Sequence, residues 1–480
     1  MKPILLIHGY SSEGKETPVA KIYGTLPDEL RKTLGTENVK ELDLSRWISL
    51  SDGISLDDVS LAMDRALNTE YPELLNSGFH VIIHSTGALV ARNWIKKFSP
   101  KPSPVNTLIH LAGANFGSGL AHIGKGQMAR WGRFLTIGTG SGFRILNELE
   151  FGSWKTLDLH LHFLNEGTRM LQDYQVQEYC MIGSQVPELF RFAPIRYVKE
   201  DSSDCTVRTS AGNLNFNYVR IVPNPKSLTD NQLKRLVSRR LNGKPVSGNQ
   251  YQIETISVAG EKDRPGIPFA IPYEIAHSGD EIGIVSGEKN RRDIQALIKI
   301  ALNTPRDPAA YAKAEKKFSE TRKATFQKAA KLKSRLTEWN PQSQYEGHAQ
   351  IIFRIRDQDG LPVEHFDVFL HSETAENSLG AMIEDKHCNK NDKGTITFYL
   401  RTQQFNKRNG TWKERLDNVI PLDIEITGEE PLSDRISYVP LSIHLNPDQI
   451  RSVVKSFQTT IIDITLTRLP SSQVFEITRK

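Results

Sequence analysis

Cysteine is scarce in this chain. Cys180, Cys205 and Cys388 are the only three in 480 residues, and they lie far apart. An odd, scattered set excludes a disulfide framework and a cysteine-rich metal site, and it fits a reducing compartment. Long apolar runs are missing too, so no segment reads as a membrane-spanning helix. Charge of one sign is lacking. Lys and Arg number 61 against 56 Asp and Glu, and the net charge of +5 gives no reason to expect nucleic acid. Internal repeats and low-complexity tracts are absent. Met1 and Lys2 lead straight into Pro3-Ile4-Leu5-Leu6-Ile7, too short for a cleavable leader. The expected compartment is therefore the cytoplasm, with leaderless export as the other route.

The length exceeds what one core organises, so two domains are expected. Residues 1–305 alternate short apolar runs with helical patterns. Runs at 4–7, 81–83 and 108–111 read as buried parallel strands, and 18–35, 56–75 and 87–98 as helices between them. That alternation implies an α/β architecture, a mostly parallel sheet covered on both faces. Residues 306–340 read as one basic helical linker, with Tyr311, Ala314, Phe318, Leu332 and Leu336 at helical spacing. Past Pro341 the pattern turns all-β. Alternating stretches at 349–356, 363–371, 395–401, 422–427, 436–444 and 459–466 predict a β-sandwich accessory domain over 341–480.

The most informative segment is Phe79-His80-Val81-Ile82-Ile83-His84-Ser85-Thr86-Gly87-Ala88-Leu89-Val90-Ala91-Arg92. It reads as a strand, a tight turn holding one serine, and an amphipathic helix. Such a turn lifts the hydroxyl clear of the backbone, and the helix points its first N–H groups at developing negative charge. The usual form is G-x-S-x-G. Here Ile83 replaces the first glycine, so the turn is expected to need a local adjustment.

A serine nucleophile needs a base, an acid to hold the base, and donors for an oxyanion. In a parallel-sheet hydrolase these follow strands in the order oxyanion loop, Ser, acid, His. His8-Gly9-Tyr10 follows the first strand and offers the Tyr10 N–H, which would pair with the Thr86 N–H. The polar loop 199–208 offers Asp204, with Asp201 and Glu200 as rivals. His277 lies late in the α/β region as the base candidate, against His84, His110, His160 and His162. His84 is a poor base because adjacent side chains diverge at an elbow, and His110 lies inside a strand.

These segments resemble α/β-hydrolase lipases and esterases, especially the bacterial lipase and PGAP1-like group. The resemblance rests on residues 5–10, 82–92, 111–118 and 203–208 and on His277-Ser278. It covers 1–305 and implies an α/β-hydrolase catalytic domain. It also implies nucleophile Ser85, acid Asp204, base His277 and backbone oxyanion donors at Tyr10 and Thr86. Ala88 stands where glycine is frequent, and Cys205 stands where glycine often follows the acid. An insertion at about 116–160, with Met128, Trp131, Phe134 and Leu135, matches the place of a lid or acyl-chain wall. The expected activity is cleavage of carboxylic esters of lipids, with no metal and no organic cofactor. The alternatives are a non-catalytic binding protein on the same fold and an acyltransferase with the same triad. The basic helix and the β domain are the candidate surfaces for a membrane or a protein partner.

Overall fold

The computed structural model describes residues 2–8, 19–49, 51–119, 121, 143–187, 200–224, 251–261, 264–334, 340–433 and 435–470. The chain divides into two units. The first holds residues 1–215, 260–346 and 405–412, and the second holds 216–259, 347–404 and 413–480.

In the first unit the apolar runs form β1 (Ile4–His8), β2 (Val39–Asp43), β3 (Phe79–His84), β4 (Val105–Leu111), β5 (Gln177–Met181) and β8 (Phe269–Ala270). Their order is β2-β1-β3-β4-β5-β8, and every neighbouring pair is parallel. β1, β3, β4 and β5 are buried along their whole length, as expected of strands covered on both faces. The helices of this unit are α1 (Val19–Tyr23), α2 (Leu26–Leu34), α3 (Leu56–Glu70), α4 (Pro72–Ser77), α5 (Gly87–Lys97), α6 (Phe143–Leu149), α7 (Trp154–His162), α8 (Thr209–Gly212), α9 (Arg291–Asn303) and α10 (Pro308–Ala329). The strand order reverses direction between β1 and β3. A crevice forms at such a switch point, outside the carboxyl ends of the strands.

The sequence reading differs from the structure at several boundaries. The helix expected over 56–75 breaks at Tyr71, because Pro72 opens α4. The stretch expected as a linker is not one. α10 belongs to the first unit, with Tyr311, Ala314 and Phe318 in the same core cluster as Tyr179 and Met181 of β5. The Tyr311 hydroxyl donates to the Glu178 carbonyl at 2.7 Å. The helix ends at Ala329, short of Leu332, and Leu336 lies outside the described residues.

The second unit contains β6 (Asn217–Pro223), β7 (Tyr251–Ser257), β9 (His348–Asp357), β10 (His365–His371), β11 (Ile383–Cys388), β12 (Thr395–Arg401), β15 (Leu422–Glu429), β16 (Ile436–Tyr438), β17 (Leu441–Leu445), β18 (Thr459–Leu466) and β19 (Arg468–Pro470). A short ribbon of β13 (Gln403–Asn406) and β14 (Thr411–Glu414) straddles the division. One sheet runs β11-β12-β9-β18-β6-β7 and a second runs β10-β15-β17. Ile351, Phe353, Phe398 and Ile462 of the first share a buried cluster with Leu422, Ile424, Ile426 and Leu441 of the second, which is the core of a sandwich. The accessory unit is thus larger than 341–480: β6 and β7 come from within the span assigned to the α/β domain. β18 runs parallel to both β9 and β6. Alternation tells that 217–223 is a strand but not which sheet it joins. The single strand expected over 436–444 is two, because Pro440 cannot donate to a ladder and the halves join different sheets.

Candidate active site

Ser85 follows β3 directly and precedes α5 by one residue. Its backbone is left-handed, φ 54°, where a residue with a Cβ is strained. Three backbone bonds hold it there. The Ser85 N–H donates to the Leu111 carbonyl at 3.1 Å, and the Ser85 carbonyl accepts from Ala88 and Ala114, both at 3.2 Å. Ile83 causes no distortion of its own. It stays in β3, in register with His110 and fully buried. The turn is therefore made at Ser85 rather than two residues earlier. Ala88 fits because Gly113 faces it: a Cβ on Gly113 would lie 3.0 Å from that of Ala88.

Asp204 sits in a tight loop bridged between Ser203 and Arg208. Its Oδ1 accepts from the backbone N–H of Thr206 at 3.0 Å and of Val207 at 2.7 Å. The loop turns at Cys205, φ 78°, which accounts for the frequency of glycine at that place in the resembled group. Ser118 ties the loop down by donating to the Thr206 carbonyl at 2.5 Å. His277 enters beside the end of β5. Gly183 makes that approach possible, since any side chain there would collide with the Ile275 carbonyl. The His277 N–H donates to the Asp204 carbonyl at 2.9 Å.

The three side chains meet. His277 Nδ1 lies 2.9 Å from Asp204 Oδ2, and His277 Nε2 lies 3.1 Å from Ser85 Oγ. Asp204 and His277 are fully buried and Ser85 nearly so. An ionised carboxylate accepts only, so Nδ1 carries the proton and Nε2 is left as the acceptor facing the serine hydroxyl. The rivals are engaged elsewhere. Glu200 pairs with Arg208, and Asp201 accepts from Ser343 and Gln344. Of the oxyanion candidates, Thr86 caps α5, and its N–H has no acceptor among the described residues. Tyr10 lies outside the described residues, as do Met128, Trp131, Phe134 and Leu135 of the insertion.

Sequence reasoning missed what surrounds the three. His84 is not idle: its Nε2–H donates to the backbone carbonyl of His277 at 3.1 Å, and the two rings lie 4.7 Å apart. Burial, and then the neighbouring His277, push its pKa well below 6.5, so it stays neutral. From α5, Arg92 grips the Glu178 carboxylate of β5 at 2.5 and 2.6 Å, and His110 Nε2 lies 3.2 Å from it. Burial would raise the Glu178 carboxyl, but Arg92 and His110 hold it down at about 2. His160 bonds the Asn115 carbonyl, and Asn115 donates to the Gly212 carbonyl at 2.8 Å, next to the acid loop. Burial and nearby cations lower His162 to about 4. None of these partners is near in sequence, so no local pattern announces them. Among the described residues, no group of three or more His, Cys, Asp or Glu is placed to hold a metal, and no helix is long and apolar enough to cross a membrane.

No family model matches the sequence, and no curated protein matches it. Solved structures do. Phospholipase PlaB from Legionella pneumophila superposes with a TM-score of 0.77 at 22% identity, over 100% of this chain and 97% of that one. The same phospholipase in complex with thio-NAD superposes with a TM-score of 0.76 over the same shares. The likeness runs through both units: this chain has the fold of PlaB, an α/β-hydrolase sheet with a β-rich second part.

Proposed function

We propose that the chain is a serine hydrolase that cleaves carboxylic esters of lipids through an acyl-enzyme on Ser85. The observation that carries this reading is the continuous relay from Ser85 Oγ through His277 to Asp204, at 3.1 and 2.9 Å, on a strained strand-to-helix turn. His277 Nε2 takes the hydroxyl proton as Ser85 attacks the ester carbonyl. Asp204 stays ionised and stabilises the imidazolium that forms. The N–H of Thr86, with that of Tyr10, holds the oxyanion at the N-terminus of α5, where the helix dipole adds to the effect. His277 then protonates the leaving alcohol. Water, deprotonated by the same histidine, attacks the acyl-enzyme, the acid is released, and His277 returns the proton to Ser85 Oγ. Every proton is accounted for by these side chains, and no metal or organic cofactor is needed.

Lipid, as opposed to a small polar ester, is supported by the fold shared with a protein named a phospholipase. A chain-length series of p-nitrophenyl esters tests it. Rates that rise from acetate to long acyl chains, and vanish in Ser85→Ala, are expected. A preference for acetate would overturn the lipid part of the reading.

A further inference from the structure

The helix α10 is one-sided in a way that neither the fold nor the triad explains. Tyr311, Ala314 and Phe318 are buried inward. The opposite face carries Lys313, Lys316, Lys317, Lys323 and Lys328, and Lys331 follows just past the helix end, all exposed. With 3.6 residues per turn the five helical lysines fall on one side, and the stretch from Lys313 to Lys328 spans about 23 Å. Glu320 is the acidic residue on this row, and it is taken up by Lys317 at 3.0 Å. A row of like charge opposes its own proximity, and nothing in the packing of the core requires lysine at these places.

The row also has a direction. Near its start the helix is pinned to the second residue of β5, by the Tyr311 bond to the Glu178 carbonyl. Near its end Lys328 lies over the Tyr273 ring, 5.5 Å from the centroid, in the segment that runs from β8 to His277. The charged row therefore climbs from the amino ends of the strands to the carboxyl ends, where Ser85 and His277 meet.

The chemistry of the row selects its partner. Base readers use forked guanidinium groups and open aromatic faces. The arginine of this helix, Arg322, is turned over the Phe269 ring, and Phe326 packs on Trp412. What remains outward is lysine ammonium, a compact, hydrated point charge suited to a diffuse field of phosphates. We propose that the outward face of α10 is a docking ridge for membrane surfaces rich in anionic phospholipid headgroups. It would hold the carboxyl edge of the sheet, with Ser85, at the lipid surface. The inference rests on the reading of the substrate as a lipid ester.

The test is co-sedimentation with vesicles of phosphatidylcholine alone and of phosphatidylcholine mixed with phosphatidylglycerol. Wild-type protein should bind the mixed vesicles, and added salt should release it. The triple variant Lys316→Gln, Lys317→Gln, Lys323→Gln should bind roughly 100-fold more weakly, from the charge lost near the surface. Its circular dichroism and its hydrolysis of a monomeric soluble ester should match wild type, while hydrolysis of vesicle lipid falls. Equal binding to both vesicle types, or unchanged binding by the triple variant, would overturn the proposal. So would tighter binding to a random single-stranded RNA that the triple variant loses. Anionic-vesicle binding together with an inert Ser85 would leave the ridge standing and remove the hydrolase reading instead.

Discussion

His277 in the first unit and His348 in the second are both buried and set against a carboxylate, and the two differ in what surrounds the pair. In the first unit His277 has Asp204 on one nitrogen and the Ser85 hydroxyl on the other. In the second unit His348 bonds Glu384 at 2.8 Å and stacks on Tyr399, with ring centroids 4.6 Å apart. The difference lies in what else holds the acid. Asp204 is held by backbone amides, which keep its charge available to an imidazolium. Glu384 is shared with the Arg401 guanidinium at 2.6 Å, so its charge is already matched. A histidine and a carboxylate in contact are common. An acid that no Lys or Arg pairs among the described residues, and a histidine whose far nitrogen meets a serine on a left-handed turn, are the parts that differ.

Substitutions at the two pairs should separate them sharply. His277→Ala should lower kcat by about 10⁴- to 10⁶-fold, while His348→Ala leaves the rate on soluble esters at the wild-type level. Asp204→Asn should cost about 10⁴-fold by spoiling the tautomer of His277, and Glu384→Gln should cost nothing in turnover. Steady-state rates on a soluble ester read all four. Equal losses at both histidines would erase the distinction.

A buried carboxylate elsewhere in the first unit sharpens it further. Glu178 is gripped by Arg92, so it belongs with Glu384 in kind, though it lies in the first unit. Glu178→Gln leaves a buried guanidinium unpaired. Urea denaturation should show about 3–5 kcal/mol of lost stability, with kcat retained in the protein that remains folded. A smaller effect follows from the histidines. His84, His110 and His160 all have pKa values lowered chiefly by burial, so the unfolded chain binds more protons than the folded one below pH 6.5. Their contribution is complete above that pH and is lost as pH falls, at up to about 1.4 kcal/mol per pH unit for each. Glu178 contributes fully above its ordinary value of 4.5 and loses its share as pH drops toward about 2. Melting temperature should therefore begin to fall just below pH 6.5, well before carboxylates protonate.

The sheet and the three central side chains were legible because each is announced locally. Ser85 stands at the junction of an apolar strand and a helix, and Asp204 and His277 stand in loops that follow strands, in the right chain order. The supports were not legible because they are made across the chain. His84 bonds a carbonyl 193 residues away, and Arg92 bonds a carboxylate 86 residues away. The same holds for the unit boundary. Asn217 to Pro223 alternates like any strand, and its partner at Thr460 to Ile464 lies at the far end of the sequence. Ile83 looked like an obstacle to the turn because the pentapeptide marks where glycine is usual, not where the backbone turns.

The central claim is that Ser85 is made nucleophilic by His277. Labelling by a fluorophosphonate, mapped by mass spectrometry in wild type and in His277→Ala, tests it most directly. Stoichiometric labelling at Ser85 in the wild type, and its loss in the variant, is the expected result. Absence of label on the folded wild-type protein, or label on a different residue, would contradict it.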